Sequence, residues 1–292
     1  MTIDVVIVTY NSADVLDACL DAVATVAGVA RIIVVDHGND GSGGRARARG
    51  AIVVADPSNP GYGAGQNRGR GMGDAPFILM LNPDAELDPA GVARGAALLD
   101  GAPDVAMVQG VIEAASGTGP ERTAGQALAP LHLWGRALGL RALLQVAIVR
   151  KIAGRYGGLA DHVYRAPAVP MDVDALAAVA VLARRDALDA IGGFDEERFF
   201  LYGEDMDLSR RLRDAGWRLV TLPDRWARHL SGASSASSWE RELEWWRGTL
   251  AFAMRWWAAP ARASARAAAL VMAIRLIARR PRATRRAFAL LR

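Results

Sequence analysis

Three groups of oxygen-bearing side chains stand where the chain pattern would place chemistry. The first is Asn82-Pro83-Asp84-Ala85-Glu86, which ends the apolar run Phe77–Leu81. A carboxylate at the carboxyl end of a buried strand lies where open α/β sheets bind ligands. Ions of the Mg²⁺ or Mn²⁺ type take carboxylates and water and leave positions for diphosphate oxygens. Asp84 is therefore a candidate metal ligand, with Asn82 and Glu86 as direct or water-mediated supplements. Asn-Pro-Asp is also an ordinary strand-ending turn, so its neighbours must decide.

The second group is Thr9-Tyr10-Asn11, closing the opening run Val5–Thr9, together with Asp36, closing Ile32–Asp36. If these runs are adjacent strands, all four residues share one rim. An acid there accepts hydrogen bonds from a base or ribose, while the Thr9 backbone holds a base edge. Asp36-His-Gly-Asn-Asp-Gly is equally rich in turn formers, and the two readings weigh the same. Between Asn59 and Gly69, glycines let backbone amides approach a ligand, and Asn67 and Arg68 are placed to meet phosphate or sugar. Alone, that stretch reads as a flexible loop. Gly41-Ser-Gly-Gly44 is not a phosphate-loop fingerprint.

The third group is Glu204-Asp205, approached through Phe199-Phe-Leu-Tyr-Gly203. Acids at a helix start are favoured by the helix dipole by roughly 0.3–1 kcal/mol, so capping would account for them. An aromatic approach also desolvates a carboxylate and tunes it as a base. His229 by itself is unremarkable; in company with Asp84 it becomes a candidate metal ligand. Together the groups describe a site for a sugar nucleotide and a divalent metal.

The elements that must position these residues are legible in the 292-residue chain. Val5–Thr9, Ile32–Asp36, Ala51–Ala55, Phe77–Leu81 and Val105–Gln109 have the unbroken Val/Ile/Leu character of strands buried on both faces. Leu16, Leu20 and Val23 recur at helical spacing between the first two strands, giving a βαβ unit. Glycine-rich joints are expected at Gly38–Gly44 and Gly61–Gly73. Further on, Val173–Ala183 reads as a strand, Arg185–Ile191 and Glu204–Ala215 as helices, and Trp217–Leu222 as a strand, with Gly216 at a helix C-terminus. The fold expected is α/β, a doubly wound, mostly parallel sheet with a C-terminal helical extension. Residues 1–235 form the main domain, 113–170 an irregular insertion, and 236–292 the extension. In the extension Trp239, Leu243, Trp246, Leu250, Met254 and Trp257 share a stripe, Pro260 ends that helix, and Pro281 kinks or breaks the next.

Charge narrows the partners. The formal net charge is +4, yet nine arginines and no acid follow Pro260. Such a tail seeks an anionic surface, phospholipid or nucleic acid. Leu270, Ile274 and Ile277 beside Arg275, Arg279, Arg282 and Arg286 suit a helix lying in a membrane interface, and Leu138–Ile152 suits the same role. No helix-turn-helix or zinc-ligand set is present, so nucleic-acid binding rests on charge alone and is not expected. A single cysteine, Cys19, excludes an internal disulfide framework and fits a reducing compartment. No apolar run is long enough to cross a bilayer. The expectation is a cytoplasmic protein peripheral to the inner face of the cell membrane.

In this order, Val5–Asn11, Val34–Ser42, Asn59–Gly69, Leu81–Leu87, Val173–Arg185 with Gly192–Asp195, and Phe199–Asp207 through His229 resemble family 2 glycosyltransferases, inverting enzymes of the GT-A (nucleotide-diphospho-sugar transferase) fold. The rhamnosyltransferase-like members, with Asn-Pro-Asp in place of Asp-Xaa-Asp, are the most similar in pattern. Within them the chain looks like the bacterial enzymes that rhamnosylate N-acetylglucosaminyl-diphosphoryl-polyprenol during cell-wall linker synthesis. The resemblance implies that Thr9, Tyr10 and Asp36 hold the nucleoside and that Asp84 binds the Mg²⁺ or Mn²⁺ bridging the diphosphate. It implies Asp205 as general base, Glu204 as its orienting partner, and His229 as an aid at the metal or diphosphate. The expected reaction moves L-rhamnose from dTDP-rhamnose to a hydroxyl of a polyprenyl-diphosphate-linked glycan by one inverting displacement.

Four positions depart from the family pattern: His37 after the nucleoside acid, Ala175 and Ala178 where Trp and Gly are usual, and Asn82 in place of a second acid. Ala178 bears on acceptor identity, and Asn82 implies a metal that binds weakly until the nucleotide arrives. The alternatives are a family 2 transferase with a UDP-sugar donor and a non-lipid acceptor, or a non-catalytic membrane- or nucleic-acid-binding protein. A nucleotidyltransferase is a further rival, but Val8–Ser12 lacks the Gly-rich basic loop that chemistry needs.

Overall fold

The computed structural model describes residues 1–117, 119–121, 123–139, 167–230 and 238–280. Half of the 113–170 insertion, nearly all of the expected Leu138–Ile152 amphipathic segment, and the tail beyond Arg280, with Pro281, lie outside them.

The chain divides into two compact units. The first comprises residues 1–125, 165–200 and 204–235. It opens with β1 (Ile3–Thr9), α1 (Ala13–Ala24), β2 (Val29–Asp36), α2 (Ser42–Ala48) and β3 (Ile52–Ala55). It continues through α3 (Tyr62–Arg70), β4 (Phe77–Leu81), β5 (Ala85–Leu87), α4 (Pro89–Gly101) and β6 (Val105–Ala114). Among the described residues a large sheet runs in the order β3-β2-β1-β4, then on through later strands. These four strands are parallel, and β1 and β4 are buried along their whole lengths, as unbroken apolar runs require.

Beyond β4 the direction changes. Strand β7 (Ala124–Gly125) pairs with β9 (Ala175–Leu176) in a small separate ladder. Strand β10 (Ala180–Arg184) runs antiparallel to β4 and β6. After α6 (Arg185–Ala190) and α7 (Glu204–Asp214), the long β11 (Arg218–His229) pairs in parallel with β6 and antiparallel with β5 and with β8 (Met171–Asp172). The longest ladders are parallel, so the sheet is mixed but mostly parallel, as expected. On one face of the sheet, α1 and α4 cover an apolar cluster in which Trp226 is wholly buried.

Several elements differ from the sequence reading. Gly61–Gly73 is not a joint but mostly helix, because small residues let α3 lie close on β1: a methyl at Gly69 would stand 2.3 Å from Val6 Cγ1. Val173–Ala183 is two strands, broken at residues 177–179. There the Gln109 amide takes the Ala177 and Ala180 carbonyls, each at 2.8 Å. Strand β6 continues to Ala114, and β11 runs on beyond Leu222 to end at His229. Gly216 follows α7 with φ +90°, the left-handed geometry that a helix end favours and glycine adopts without strain.

The second unit comprises residues 126–164, 201–203 and 236–292. It holds α5 (Pro130–Ala137), α8 (Ser238–Trp256) and α9 (Ala259–Arg279). Leu243, Trp246 and Leu250 of the expected stripe are buried, against Leu133 of α5 and Ala265, Ala269 and Met272 of α9. Helix α8 already ends at Trp256; Pro260 starts α9 instead, at a position where its missing N–H costs nothing.

Candidate active site

Register carries the distant acids of the first unit to one rim. Strand β4 stops at Leu81, the Asn82-Pro83-Asp84 turn follows, and β5 sets Ala85 opposite His229 of β11. The Leu230 amide closes this pairing on the Asp84 carbonyl at 3.0 Å. His229 Nε2 consequently lies 3.1 Å from Asp84 Oδ1. The other ring nitrogen, Nδ1, lies 2.8 Å from Oε2 of Glu121, a residue that the sequence reading passed over. Burial opposes protonation of the imidazole, but the hydrogen bonds and charges of Asp84 and Glu121 outweigh it and push the His229 pKa up to about 9.

The second pair of acids comes from the other side of the same rim. Glu204 opens α7 and is buried; Asp205 beside it is half-buried. Burial, then the neighbouring Asp205 charge, raises the Glu204 pKa to about 8. Burial raises Asp205 too, but hydrogen bonds from the Met206, Asp205 and Ala178 backbone amides favour its charged form. Burial thus pushes both carboxyls toward their neutral forms, and at Asp205 the backbone amides offset part of that push. Glu204 Oε2 is buried with no hydrogen-bond partner among the described residues.

Residues 177–179 join the two sides. The Asn82 amide donates to the Val179 carbonyl at 2.7 Å, tying down the Asp84 turn. Ala178 accepts at its carbonyl from the Tyr62 hydroxyl, 2.5 Å away, and its amide favours the charged form of Asp205. Burial raises the Tyr62 pKa far above the usual phenol range, and the charges of Glu204, Asp205 and Asp84 raise it further. The charges of all three carboxylates thus bear on this one hydroxyl.

The remaining expected residues divide. Thr9 and Asp36 are register partners, and Thr9 Oγ1 donates to Asp36 Oδ1 at 2.8 Å. The Gly38 and Gly43 amides also donate to Asp36, at 3.1 and 2.9 Å, so this acid fastens the turn as well as facing the rim. Tyr10 is 52% exposed, and Asn11 adopts φ +54°. Asn67 is not turned toward the acids: its amide exchanges two hydrogen bonds, both 2.9 Å, with the Phe194 backbone and so holds the loop ahead of α7. Arg68 pairs with Asp56. His37, where the family pattern has Asn, sets Nδ1 2.8 Å from the Asp56 carbonyl. Among the described residues no group of three or more His, Cys, Asp or Glu side chains is arranged to hold a metal ion by itself. Asp84 and His229 do offer one oxygen and one nitrogen in contact, a donor pair that fits an ion completed by diphosphate and water.

Comparison with known proteins agrees with this architecture. Over 91 residues the chain is 36% identical to an N-acetylglucosaminyl-diphospho-decaprenol L-rhamnosyltransferase of Mycobacterium tuberculosis, a match covering 26% of this chain and only 29% of that protein's length. A mannosyltransferase from Pyrobaculum calidifontis, solved with GDP-Man and Mn²⁺, superposes with TM-score 0.57 at 16% identity, over 99% of this chain and 84% of that one. Glucosyl-3-phosphoglycerate synthase of Mycobacterium tuberculosis, solved with Mn²⁺, UDP and glucosyl-3-phosphoglycerate, gives 0.54 at 19% identity, over 87% and 79%. These two likenesses establish the GT-A fold. Residues 2–248 match the model described as glycosyltransferase like family 2, and the chain belongs to that family.

Proposed function

We propose that this chain is an inverting glycosyltransferase that moves a sugar from a nucleotide diphosphate to a hydroxyl of a lipid-linked glycan. The observation that carries the proposal is the turn at residues 177–179, which takes the Asn82 amide of the Asp84 turn on the Val179 carbonyl at 2.7 Å and the Tyr62 hydroxyl on the Ala178 carbonyl at 2.5 Å, with the charges of Asp84, Glu204 and Asp205 bearing on that hydroxyl. Asp84 and His229 are the residues that would hold Mg²⁺ or Mn²⁺, which when bound stabilises the charge of the departing diphosphate. Asp205, whose carboxylate accepts from the Met206 amide at 2.8 Å, takes the proton of the acceptor hydroxyl as that oxygen attacks the anomeric carbon. The bond to the diphosphate breaks with its electron pair leaving on the nucleotide, and the anomeric configuration inverts. Thr9, Tyr10, Asn11 and Asp36 form the rim on which the nucleoside would rest.

The sugar proposed is L-rhamnose and the acceptor an N-acetylglucosaminyl-diphosphoryl polyprenol, because the partial relative is named for that transfer; dTDP as the carrier nucleotide and a place in cell-wall synthesis follow from the sequence resemblance. A UDP-sugar donor is the second reading. It is favoured by the UDP bound in a structure of the same fold. Helix α9 supports work at an anionic membrane on the cytoplasmic side: Leu270 and Ile274 are exposed, with exposed Arg262, Arg266, Arg279 and Arg280 along the same helix.

The test incubates the protein with a panel of sugar nucleotides, Mg²⁺ or Mn²⁺, and a GlcNAc-diphosphoryl lipid. Glycolipid should form, and Asp205→Asn should slow it on the order of 10²-fold or more while donor binding persists. Normal turnover by Asp205→Asn would remove the base assignment.

A further inference from the structure

We infer that Glu121 is a positioning residue that fixes His229 as a metal ligand through Nε2. The inference rests on the proposed metal role of Asp84 and His229 and extends it to a residue outside that pair. An imidazole has two polar atoms, and here each meets a different carboxylate: Nδ1 meets Glu121 Oε2 at 2.8 Å and Nε2 meets Asp84 Oδ1 at 3.1 Å. The His229 and Glu121 side chains are 11% and 19% exposed, so the contact is shielded from competing water.

The backbone holds this arrangement from both sides. Strand β6 carries His229 in register with Ala114, and the Ala115 amide donates to the His229 carbonyl at 2.9 Å. The chain then doubles back: Glu113 bridges Pro120, and the Glu121 amide returns to the Ile112 carbonyl at 2.7 Å. One strand is thus the scaffold for both partners, although 108 residues separate them.

A metal takes the lone pair of a neutral imidazole, so a ring that ligates through Nε2 must carry its proton on Nδ1. A carboxylate at Nδ1 selects that tautomer, fixes the ring plane and strengthens Nε2 as a donor. Such outer partners are worth about 10–100-fold in metal affinity.

Mn²⁺ is titrated into the full chain, alone and with dTDP or UDP, and free Mn²⁺ is read by electron paramagnetic resonance. Glu121→Ala should weaken Mn²⁺ binding about 10–100-fold. Glu121→Gln, which keeps an acceptor oxygen, should restore most of the loss, and His229→Ala should set the floor. Thermal melts identify any variant that fails to fold. In the Mg²⁺- and nucleotide-loaded wild type, nitrogen-15 spectra should place the His229 proton on Nδ1, and Glu121→Ala should mix the tautomers. Weak binding by His229→Ala with wild-type binding and an unmixed tautomer in Glu121→Ala would overturn the Glu121 role alone. Mn²⁺ binding indifferent to both substitutions would remove the His229 ligand assignment with it.

Discussion

Glu204 is the residue whose environment makes the sharpest demand. Its carboxyl is buried beside Asp205, with one oxygen lacking a partner among the described residues. Its folded pKa, about 8, stands above the ordinary 4.5, so the proton is bound more tightly in the fold than in the open chain. The stability this contributes is complete below about pH 4.5 and is lost as pH rises through about 8. Relative to Glu204→Gln, the wild type should lose stability across that window with a slope of up to about 1.4 kcal/mol per pH unit. Chemical denaturation of both proteins from pH 5 to 9 reads the difference, and parallel curves would count against a buried neutral acid. Asp84 and Asp205 were legible in the sequence because one follows a strongly patterned strand and the other stands at a helix start, whereas His229 was singled out only by its company with Asp84, since its strand was expected to stop at Leu222. Glu121 was not: it lies after Gly119-Pro120, in a stretch without periodicity, and its partner is reached only through the β6–β11 register.

At the scale of elements, α3 braces the segment that leads to the base. Gly61 precedes it with φ +108°, and a methyl there would stand 2.2 Å from the Phe200 carbonyl oxygen. That same carbonyl accepts the Tyr62 amide at 3.0 Å. Gly61→Ala therefore meets both strain and overlap, and should destabilise the fold by roughly 1–3 kcal/mol. Tyr62→Phe keeps the ring against Phe194 but frees the Ala178 carbonyl, at a cost of about 1–3 kcal/mol for the unpaired buried group. Because the Ala178 amide also bears on the Asp205 charge, Tyr62→Phe should lower kcat more than it raises KM for the donor; an unchanged kcat would show the brace to be structural only. Strands β1, β2 and β4 were readable from their apolar runs, and α7 from its acidic start and closing glycine. The break at 177–179 was hidden, since Ala175 to Ala183 is apolar throughout and only the distant Gln109, Asn82 and Tyr62 interrupt it.

At the scale of the whole molecule, each unit has its own apolar core, and the second leaves one helix side uncovered. Helix α9 buries small residues, Ala265, Ala268, Ala269 and Ala273, and so keeps its larger aliphatics outside. Leu270 is 43% and Ile274 56% exposed, an arrangement opposite to that of a helix made only to pack. Arg275 is not part of the free basic set, since its guanidinium reaches the Ala137 carbonyl at the end of α5. Among the described residues no helix is long and apolar enough to cross a membrane, so attachment of this face would be in the plane of the interface. Vesicles with anionic lipid should bind the protein, and zwitterionic ones should bind it far less. Leu270→Ser with Ile274→Ser should weaken binding to anionic vesicles at any salt, by removing insertion. Arg262→Gln with Arg266→Gln should weaken it on the order of fivefold per arginine at low salt, and progressively less as salt screens the lipid charge. Donor hydrolysis in the absence of lipid should be unchanged in both double variants, because all four residues belong to the second unit and the acids to the first. Sedimentation with the vesicles separates the two contributions, and binding that ignores all four substitutions would locate the membrane contact elsewhere.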